Sequence, residues 1–188
     1  MQHKKLILAS KSPRRKQLLE MAGIPFTIQT KEVAEDYPLD LPVMEVAPFL
    51  ARKKAQACAN FIEGEAIVLS ADSVVIQGQT IYEKPVDKAD AQRILRSLSG
   101  QMHTVVTGVC LLSKEKEKVF AGYSKVYFDP LTEEEIEFYI DNYQPFDKAG
   151  AYAIQEWIGL CKINKIEGTY ANIMGLPVDL VYKELQAF

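Results

Sequence analysis

Cysteine and histidine are scarce in this chain of 188 residues, which contains three cysteines and two histidines. The cysteines, Cys58, Cys110 and Cys161, are widely spaced and form no C-x-x-C pair. This pattern argues against a disulfide framework and a zinc site, and it is typical of a reducing compartment. A Ser-His-Asp hydrolase would have to use His103, since His3 belongs to the terminal tail, and the sequence has no G-x-S-x-G elbow.

The chain also lacks a long apolar run and an excess of positive charge. No stretch approaches the roughly 20 apolar residues that span a bilayer, and the segment 1–8 is too short and too polar for a signal peptide. We therefore expect a cytoplasmic protein with no membrane partner. Lys and Arg number 22 against 25 Asp and Glu, which gives no support for nucleic-acid binding. A small polyanionic ligand needs only a few local cations.

Hydrophobic periodicity predicts an α/β protein with a mixed sheet. Apolar or alternating runs indicate strands at residues 5–9, 25–30, 66–76, 103–112, 118–128 and 160–166. Helical spacing indicates helices at residues 13–22, 44–61, 87–98, 131–140 and 177–185. Residues 31–42 and 141–155 are expected to be irregular, and residues 113–117 to form a hairpin turn. No repeat or linker divides the chain, so residues 1–188 are expected to form one domain.

The segment Ser10–Arg15 is the first candidate for chemistry. Ser12 fits a helix N-cap and Pro13 the first helical position. A helix N-terminus suits a phosphate, to which the Ser10 and Ser12 hydroxyls could add hydrogen bonds, and Arg14 and Arg15 could clamp phosphate oxygens. The alternative is a capped surface helix with two solvated arginines. The buried strand before the turn favours a ligand site, because open α/β sheets bind ligands at the carboxyl ends of their strands.

Asp72 is the second candidate, because apolar residues flank it within a predicted strand. A carboxylate is costly to bury without a partner. We therefore expect Asp72 to end the buried part of the strand and to face a cation or a metal. It could bind Mg²⁺ or accept a proton from an attacking water. The alternatives are an acid on a solvated strand face and a structural salt bridge.

Several polar residues elsewhere are weaker candidates. Lys84, before Pro85, could reach a phosphate or could be an exposed loop lysine, and Lys53 and Lys54 have the same two interpretations. The acids of the polar loop, Glu35 and Asp36, could supply metal ligands or be solvated.

The segment 145–155 is rich in small residues, which let a backbone approach a ligand closely. At its end, Gln155 carries an amide that could read a base edge, because an amide offers both a donor and an acceptor. The alternative interpretation is an ordinary turn.

Taken together, the segments of this chain resemble the Maf-like nucleotide pyrophosphatases over nearly its whole length. The shared motifs occur in the same order and are L-A-S-x-S-P-R-R at 8–15, A-D-S at 71–73, E-K-P at 83–85, L-S-G at 98–100 with a histidine at 103, D-K-A-G-A-Y at 147–152 and G-L-P at 175–177. The resemblance implies a two-lobed α/β fold with flanking helices, related to inosine-triphosphate pyrophosphatases, with a nucleotide cleft between the lobes. It also implies a homodimer, a divalent cation (Mg²⁺ or Mn²⁺), and hydrolysis of a nucleoside triphosphate to the monophosphate and pyrophosphate.

The resemblance also implies roles for single residues. Asp72 would be the proton acceptor, and we add the hypothesis that Asp72 and Glu35 hold the metal. Substrate phosphates would be surrounded by Ser10, Arg14, Arg15, Lys54 and Lys84. Substrate choice would depend on Arg14, Ser73 and Gln155.

The run D-K-A-G-A-Y-x-I-Q looks like the branch of the family that acts on dTTP and UTP. The alternatives are the branch acting on 7-methyl-GTP, another non-standard nucleotide, or a non-catalytic nucleotide-binding regulator of cell division. Two departures concern substrate preference. Ser73 stands where the dTTP/UTP branch usually has threonine, and Glu156 and Trp157 follow Gln155 where that branch commonly has glycine, which could reshape the base pocket.

Overall fold

The computed structural model describes residues 5–188, so His3 lies outside it. The described residues form a mixed seven-stranded sheet flanked by helices, which confirms the predicted α/β class. The strands are β1 Leu6–Leu8, β2 Thr27–Ile28, β3 Ile67–Gln77, β4 Thr80–Tyr82, β5 Met102–Leu112, β6 Glu117–Phe128 and β7 Ile163–Glu167. The helices are α1 Pro13–Met21, α2 Val46–Ala57, α3 Lys88–Leu98, α4 Glu133–Tyr143, α5 Trp157–Cys161, α6 Tyr170–Met174 and α7 Val178–Ala187. No helix among residues 5–188 is long and apolar enough to cross a membrane.

The sheet has the order β2-β1-β3-β5-β6-β7, and β4 pairs with β3 outside this path. Strand β1 runs parallel to both β2 and β3, with Leu6 opposite Ile67 and Leu8 opposite Leu69. The pairs β3–β4 and β6–β7 are antiparallel. Because β1 is buried along its whole length, the Ser10–Arg15 segment leaves the carboxyl end of an internal strand, as predicted.

Contacts divide the chain into two compact units. The first unit comprises the chain up to Asp72 together with residues 107–122 and 175–188, and the second comprises residues 73–106 and 123–174. Each unit has an apolar core of its own. Buried residues in the first core include Ile7, Ala51, Val68 and Cys110, and those in the second include Leu95, Val126, Ile136 and Tyr139.

Two helices begin with side-chain caps. The Asp87 carboxylate accepts a hydrogen bond from the Asp90 N–H at 2.8 Å at the start of α3. At α4 the Thr132 hydroxyl accepts from the Glu135 N–H at 3.2 Å, and the Glu135 carboxylate accepts from the Thr132 N–H at 2.9 Å. This capping box satisfies two donors that a helix N-terminus leaves unpaired.

Other predictions about local structure were wrong in part. Leu160 and Cys161 belong to helix α5, so the strand predicted at 160–166 begins only at Ile163. Ser12 does precede α1, but its hydroxyl makes no capping hydrogen bond with any residue of the described range 5–188. Its own N–H donates instead to the Ser10 hydroxyl at 3.3 Å. The sequence did not predict β4 or α6, both of which are short.

Candidate active site

One lysine in the first unit contacts two carboxylates. Lys54 Nζ donates to Glu35 Oε1 at 2.7 Å and also to Asp72 Oδ1. The side chains of Lys54 and Asp72 are 18% and 13% exposed, whereas that of Glu35 is 49% exposed. We call Glu35, Lys54 and Asp72 the Lys54 cluster. The structure therefore brings together three of the residues that the sequence singled out.

The register of α2 on β3 explains why Lys54 meets Asp72. Ser70 and Asp72 lie two residues apart on β3 and so point to the same face of the sheet. The Ser70 hydroxyl donates to the Ala51 carbonyl of α2 at 2.5 Å. Lys54 lies three residues beyond Ala51, on the same side of the helix. The bond at Ser70 thus sets α2 where Lys54 can reach Asp72.

The expectation that Asp72 ends the buried part of its strand is wrong. Asp72 lies in the middle of β3, and the residue as a whole is only 9% exposed. Val74, Val75 and Ile76 beyond it are buried as well. A buried carboxylate is tolerated when it is paired and hydrogen-bonded. Lys54 supplies that pairing, so the strand can remain buried on both sides of the charge.

A glycine of β5 lets helix α2 begin close to the sheet. A Cβ added at Gly108 would lie 2.3 Å from the Ala47 carbonyl carbon and from the Pro48 nitrogen, both of which are backbone atoms. Contacts this short do not occur, so any larger residue would push the start of α2 outwards. The close approach therefore helps to hold the helix that carries Lys54.

The acids of the loop before α2 are paired with lysines, although their side chains stay largely exposed. Lys53 Nζ donates to Asp36 Oδ1 at 2.6 Å and to the Asp36 carbonyl at 3.2 Å. The hydrogen bond from Lys53 lowers the pKa of Asp36 below its usual value. Lys11 forms a more exposed pair with Glu32 at 3.3 Å. Lys53 thus binds Asp36 while the neighbouring Lys54 binds Glu35 and Asp72, and the structure separates two lysines that the sequence treats alike.

The Ser10–Arg15 segment is held by contacts of its own. The buried Ser10 hydroxyl accepts from Arg15 Nη1 at 3.1 Å, and Arg15 Nε donates to the Gly175 carbonyl at 2.8 Å. Gly175 has a φ of 117°, which glycine adopts far more readily than other residues. The first and last of the shared sequence motifs therefore meet in one hydrogen-bond network.

Electrostatics links Arg15 to the Lys54 cluster. Burial lowers the pKa of Arg15, and the like charge of Arg14 lowers it further, whereas attraction to Asp72 and to Glu35 raises it. An arginine remains charged at any physiological pH despite such a shift. The first unit thus gathers the cations Arg14, Arg15 and Lys54 near two carboxylates, an arrangement suited to a polyanion that arrives with a divalent cation.

The donor set of Asp72 and Glu35 fits Mg²⁺ or Mn²⁺, since both metals prefer oxygen ligands. Mg²⁺ is commonly held by one or two carboxylates together with substrate phosphates and water. No group of three or more His, Cys, Asp or Glu side chains placed to hold a metal occurs within residues 5–188.

The remaining predicted site residues belong to the second unit. Lys84 is exposed in the loop after β4, Gln155 is exposed just before α5, and Ser73 is half-buried in β3. The loop of Lys84 is tied to the D-K-A-G-A-Y segment, because the Gly150 N–H donates to the Glu83 carbonyl at 3.2 Å. Gly150 has a φ of 71°, and a Cβ there would lie 2.8 Å from a Val75 methyl carbon. Glycine is thus required where these two segments meet.

The carboxylate of Glu156 is engaged within the second unit. Glu156 Oε2 accepts a hydrogen bond from the Tyr139 hydroxyl, and Glu156 Oε1 lies 3.5 Å from Lys148 Nζ. Lys148 is buried and also contacts Asp147 at 2.8 Å. The sequence flagged Glu156 as a residue that could reshape the base pocket, but it did not reveal these partners. A tyrosine on an apolar helix face reads as core, so nothing in the sequence pointed to Tyr139.

His103 is a buried core residue. Its Nε2 lies 2.7 Å from the Tyr152 hydroxyl, and its ring packs edge-on against Phe128 and Tyr152. Burial lowers the pKa of His103 to about 3. The imidazole is therefore neutral at physiological pH.

Comparisons with known proteins agree with the motifs. A model of the protein family described as Maf-like protein matches residues 5–188. The dTTP/UTP pyrophosphatase of Cytophaga hutchinsonii is 48% identical over 96% of this chain and 83% of its own length. The enzymes of that name from Bacteroides fragilis and Porphyromonas gingivalis are 45% and 46% identical, over 97% and 98% of this chain and 95% and 94% of their own lengths. Among solved structures, the Ham1 protein of Staphylococcus aureus is 16% identical, with a TM-score of 0.49 over 66% of this chain and 72% of that chain. This chain belongs to the Maf-like protein family.

Proposed function

We propose that this chain is a metal-dependent nucleoside triphosphate pyrophosphatase that converts dTTP and UTP to the monophosphate and pyrophosphate. The observation that carries the proposal is the Lys54 cluster, in which a half-buried lysine contacts two carboxylates beside the arginines of the Ser10–Arg15 segment. The name dTTP/UTP pyrophosphatase, shared by relatives that are 45–48% identical, supports the choice of substrate.

In the proposed reaction, water attacks the α-phosphorus and the bond from that phosphorus to the bridging oxygen of pyrophosphate breaks. Asp72 orients the water and accepts its proton. Arg14, Arg15 and Lys54 bind phosphate oxygens and stabilise the charge that develops on the departing pyrophosphate, and Ser10 adds a hydroxyl. Positioning and electrostatic stabilisation account for most of the catalysis in phosphoryl-transfer sites.

Asp72 and Glu35 are the residues that would hold the divalent metal. When bound, Mg²⁺ or Mn²⁺ would neutralise phosphate charge and polarise the phosphoryl oxygens. Lys54 contacts both of these carboxylates, so it orients the proposed ligands in addition to binding phosphate.

By the same proposal Lys84 would bind the phosphates and Gln155 the base, with Ser73 and Arg14 also influencing substrate choice. The Gln155 amide makes no hydrogen bond to any residue in 5–188, which leaves it able to pair with a base edge. A cytoplasmic location, a homodimer, and the absence of nucleic-acid and membrane partners remain predictions from the sequence.

The proposal is tested by pyrophosphate release from a panel of dTTP, UTP, CTP, 5-methyl-UTP, ITP and 7-methyl-GTP, with Mg²⁺ or Mn²⁺ added. We expect dTTP and UTP to react fastest. Faster pyrophosphate release from ITP or 7-methyl-GTP than from dTTP and UTP would indicate another substrate class. Nucleotide binding without release from any member would favour the non-catalytic regulator.

The role of Asp72 is tested in the same assay with Asp72→Asn. Loss of a general base typically costs about 10²–10⁴-fold in rate, and we expect a fall of that size in turnover with a much smaller change in nucleotide affinity. The matched control is Asp36→Asn, because Asp36 pairs with the neighbouring Lys53 outside the Lys54 cluster. Turnover close to that of the wild type in Asp72→Asn would show that Asp72 is not the base.

A further inference from the structure

The segment that ends in Gln155 is held on both sides by one hydroxyl group. Tyr139 lies on α4 and is fully buried. Its hydroxyl accepts a hydrogen bond from the Ala153 N–H at 3.0 Å and donates to the Glu156 carboxylate. Ala153 comes two residues before Gln155 and Glu156 one residue after it. Tyr139 therefore fixes the backbone at Ala153, which precedes Gln155, and the side chain of Glu156, which follows it.

Further contacts restrict the same segment. The Glu156 N–H donates to the Ala153 carbonyl at 3.2 Å, which closes a turn around Gln155. A Cβ added at Gly159 would lie 1.8 Å from the Ile154 carbonyl oxygen, so α5 packs directly on the residue before Gln155. Gln155 itself is exposed, in contrast to the buried residues that precede it. An exposed amide thus projects from a tightly fixed turn.

The direction of the Tyr139–Glu156 hydrogen bond is also fixed. Burial and the adjacent Glu156 carboxylate raise the pKa of Tyr139 above its usual value, so the hydroxyl keeps its proton and donates a hydrogen bond to Glu156. The carboxylate has a second partner in Lys148, which is itself buried. A fully partnered network of this kind holds its members in one arrangement.

We propose that Tyr139 and Glu156 are positioning residues that aim the Gln155 amide and so set which nucleobase is accepted. The proposal rests on the proposed function, in which Gln155 reads the base. Thymine and uracil present a carbonyl acceptor where cytosine presents an amino donor. An amide carries both a donor and an acceptor, so which of them meets the base depends on where the backbone of Gln155 places the amide.

The test compares dTTP with dCTP in the variant Tyr139→Phe, which removes the hydroxyl and keeps the ring. We expect the dTTP-over-dCTP ratio of kcat/KM to fall about tenfold, the factor that corresponds to one aligned hydrogen bond of about 1.4 kcal/mol. The matched control is Tyr143→Phe on the same helix. The Tyr143 ring stacks on Tyr139 at 5.1 Å, and its hydroxyl has no hydrogen-bond partner in the described part of the chain. The control should keep the ratio of the wild type.

Two variants of Glu156 separate positioning from general destabilisation. Glu156→Gln keeps an oxygen that can accept from Tyr139 and should keep the ratio within about twofold, whereas Glu156→Ala should lose it as Tyr139→Phe does. A role in stability alone would slow both nucleotides equally and leave the ratio unchanged.

A double-variant cycle tests whether Tyr139 acts through Gln155. If it does, Tyr139→Phe should change the ratio by less than about twofold once Gln155→Ala is present, because coupled residues are non-additive. A full tenfold effect in the Gln155→Ala background would overturn the proposal. So would an unchanged ratio in both Tyr139→Phe and Glu156→Ala.

Dissociation constants of dTTP and dCTP, measured by calorimetry on the same variants, keep the two proposals distinguishable. Failure of the wild type to release pyrophosphate from dTTP would refute the proposed function, and the ratio of dissociation constants would still report base selection. A wild-type protein that binds both nucleotides equally, or binds neither, would overturn the positioning role.

Discussion

Replacing Lys54 with methionine removes the cation that Asp72 and Glu35 share and keeps a side chain of similar length. Asp72 would remain 87% buried as a side chain, by difference from its 13% exposure, with no ammonium beside it. Removing one partner of a fully buried ion pair costs about 3–5 kcal/mol. Water reaches part of Lys54 and half of Glu35, so we expect a smaller loss of about 2 kcal/mol in the free energy of unfolding.

Lys53→Met is the matched control for this substitution. Lys53 is the adjacent residue on α2 and also contacts an acid of the preceding loop, at 2.6 Å. Its side chain is 32% exposed and that of its partner Asp36 is 78% exposed, against 18% and 13% for Lys54 and Asp72. Exposed ion pairs contribute little to stability. The free energy of unfolding of Lys53→Met should therefore stay close to that of the wild type.

Urea unfolding followed by circular dichroism measures the difference. With a slope of about 2 kcal/mol per molar urea, Lys54→Met should lower the midpoint by about 1 M, and Lys53→Met by less than about 0.2 M. Pyrophosphate release from dTTP supplies a second readout. Loss of a single group that stabilises the transition state costs about 10²–10³-fold in turnover, and we expect a loss of that order for Lys54→Met alone.

Equal midpoints for the two lysine variants would refute the reasoning, because they would show that the Lys54–Asp72 pair contributes no more than an exposed one. The double variant Lys54→Met/Asp72→Asn tests the pairing directly. Since it removes the buried charge of Asp72 together with the ammonium of Lys54, and the side chain of Glu35 is half exposed, it should recover more than half of the stability that Lys54→Met loses. Additive losses would indicate that the two side chains are not coupled.

Two further predictions concern groups outside the proposed site. Burial lowers the pKa of His103 from 6.5 to about 3, so between these pH values the unfolded chain binds a proton that the folded protein does not. The free energy of unfolding should therefore fall as pH falls through this range, by up to about 1.4 kcal/mol per pH unit, and His103→Gln should show a shallower fall in urea unfolding at pH 7 and pH 5. An identical fall would contradict the buried neutral imidazole. Burial also raises the pKa of the Cys110 thiol to about 12, whereas Cys161 is exposed. A thiol reagent at pH 8 should label Cys161 rapidly and Cys110 hardly at all, so rapid labelling of Cys110 in Cys161→Ser would refute its burial.

The elements that the sequence predicted well are those whose signals are local. Thr132 and Glu135 form a capping box because the two residues that must meet are three positions apart. The apolar run of β3 was recognisable because such a run, bounded by polar residues, is typical of a buried strand. The last two residues of helix α5 were included in a predicted strand because the helix has only five residues, too few to display a helical period.

The contacts of the candidate site depend on register between distant elements, which local sequence does not encode. Lys53 and Lys54 are adjacent and chemically identical, yet only Lys54 reaches Asp72, because the bond between Ser70 and Ala51 sets how α2 lies on β3. Arg15 meets the Gly175 carbonyl across 160 positions of sequence. Recognisable motifs therefore identified the residues, but only the fold reveals which of them touch.

Under the proposed function, the residues that handle phosphate and those that handle the base have separate structural supports. Arg15 and Lys54 are held within the first unit, by Ser10, Gly175 and Asp72. The turn that carries Gln155 is held within the second unit, by Tyr139 and Glu156. Because Tyr139 and Glu156 belong to the second unit whereas Arg15 and Lys54 belong to the first, we expect a substitution at Tyr139 to alter which nucleotide is preferred while the phosphate-binding cations stay in place. The same separation predicts that Lys54→Met slows dTTP and dCTP by the same factor, whereas Tyr139→Phe changes their ratio. A change in base preference in Lys54→Met would show that the two sets are coupled.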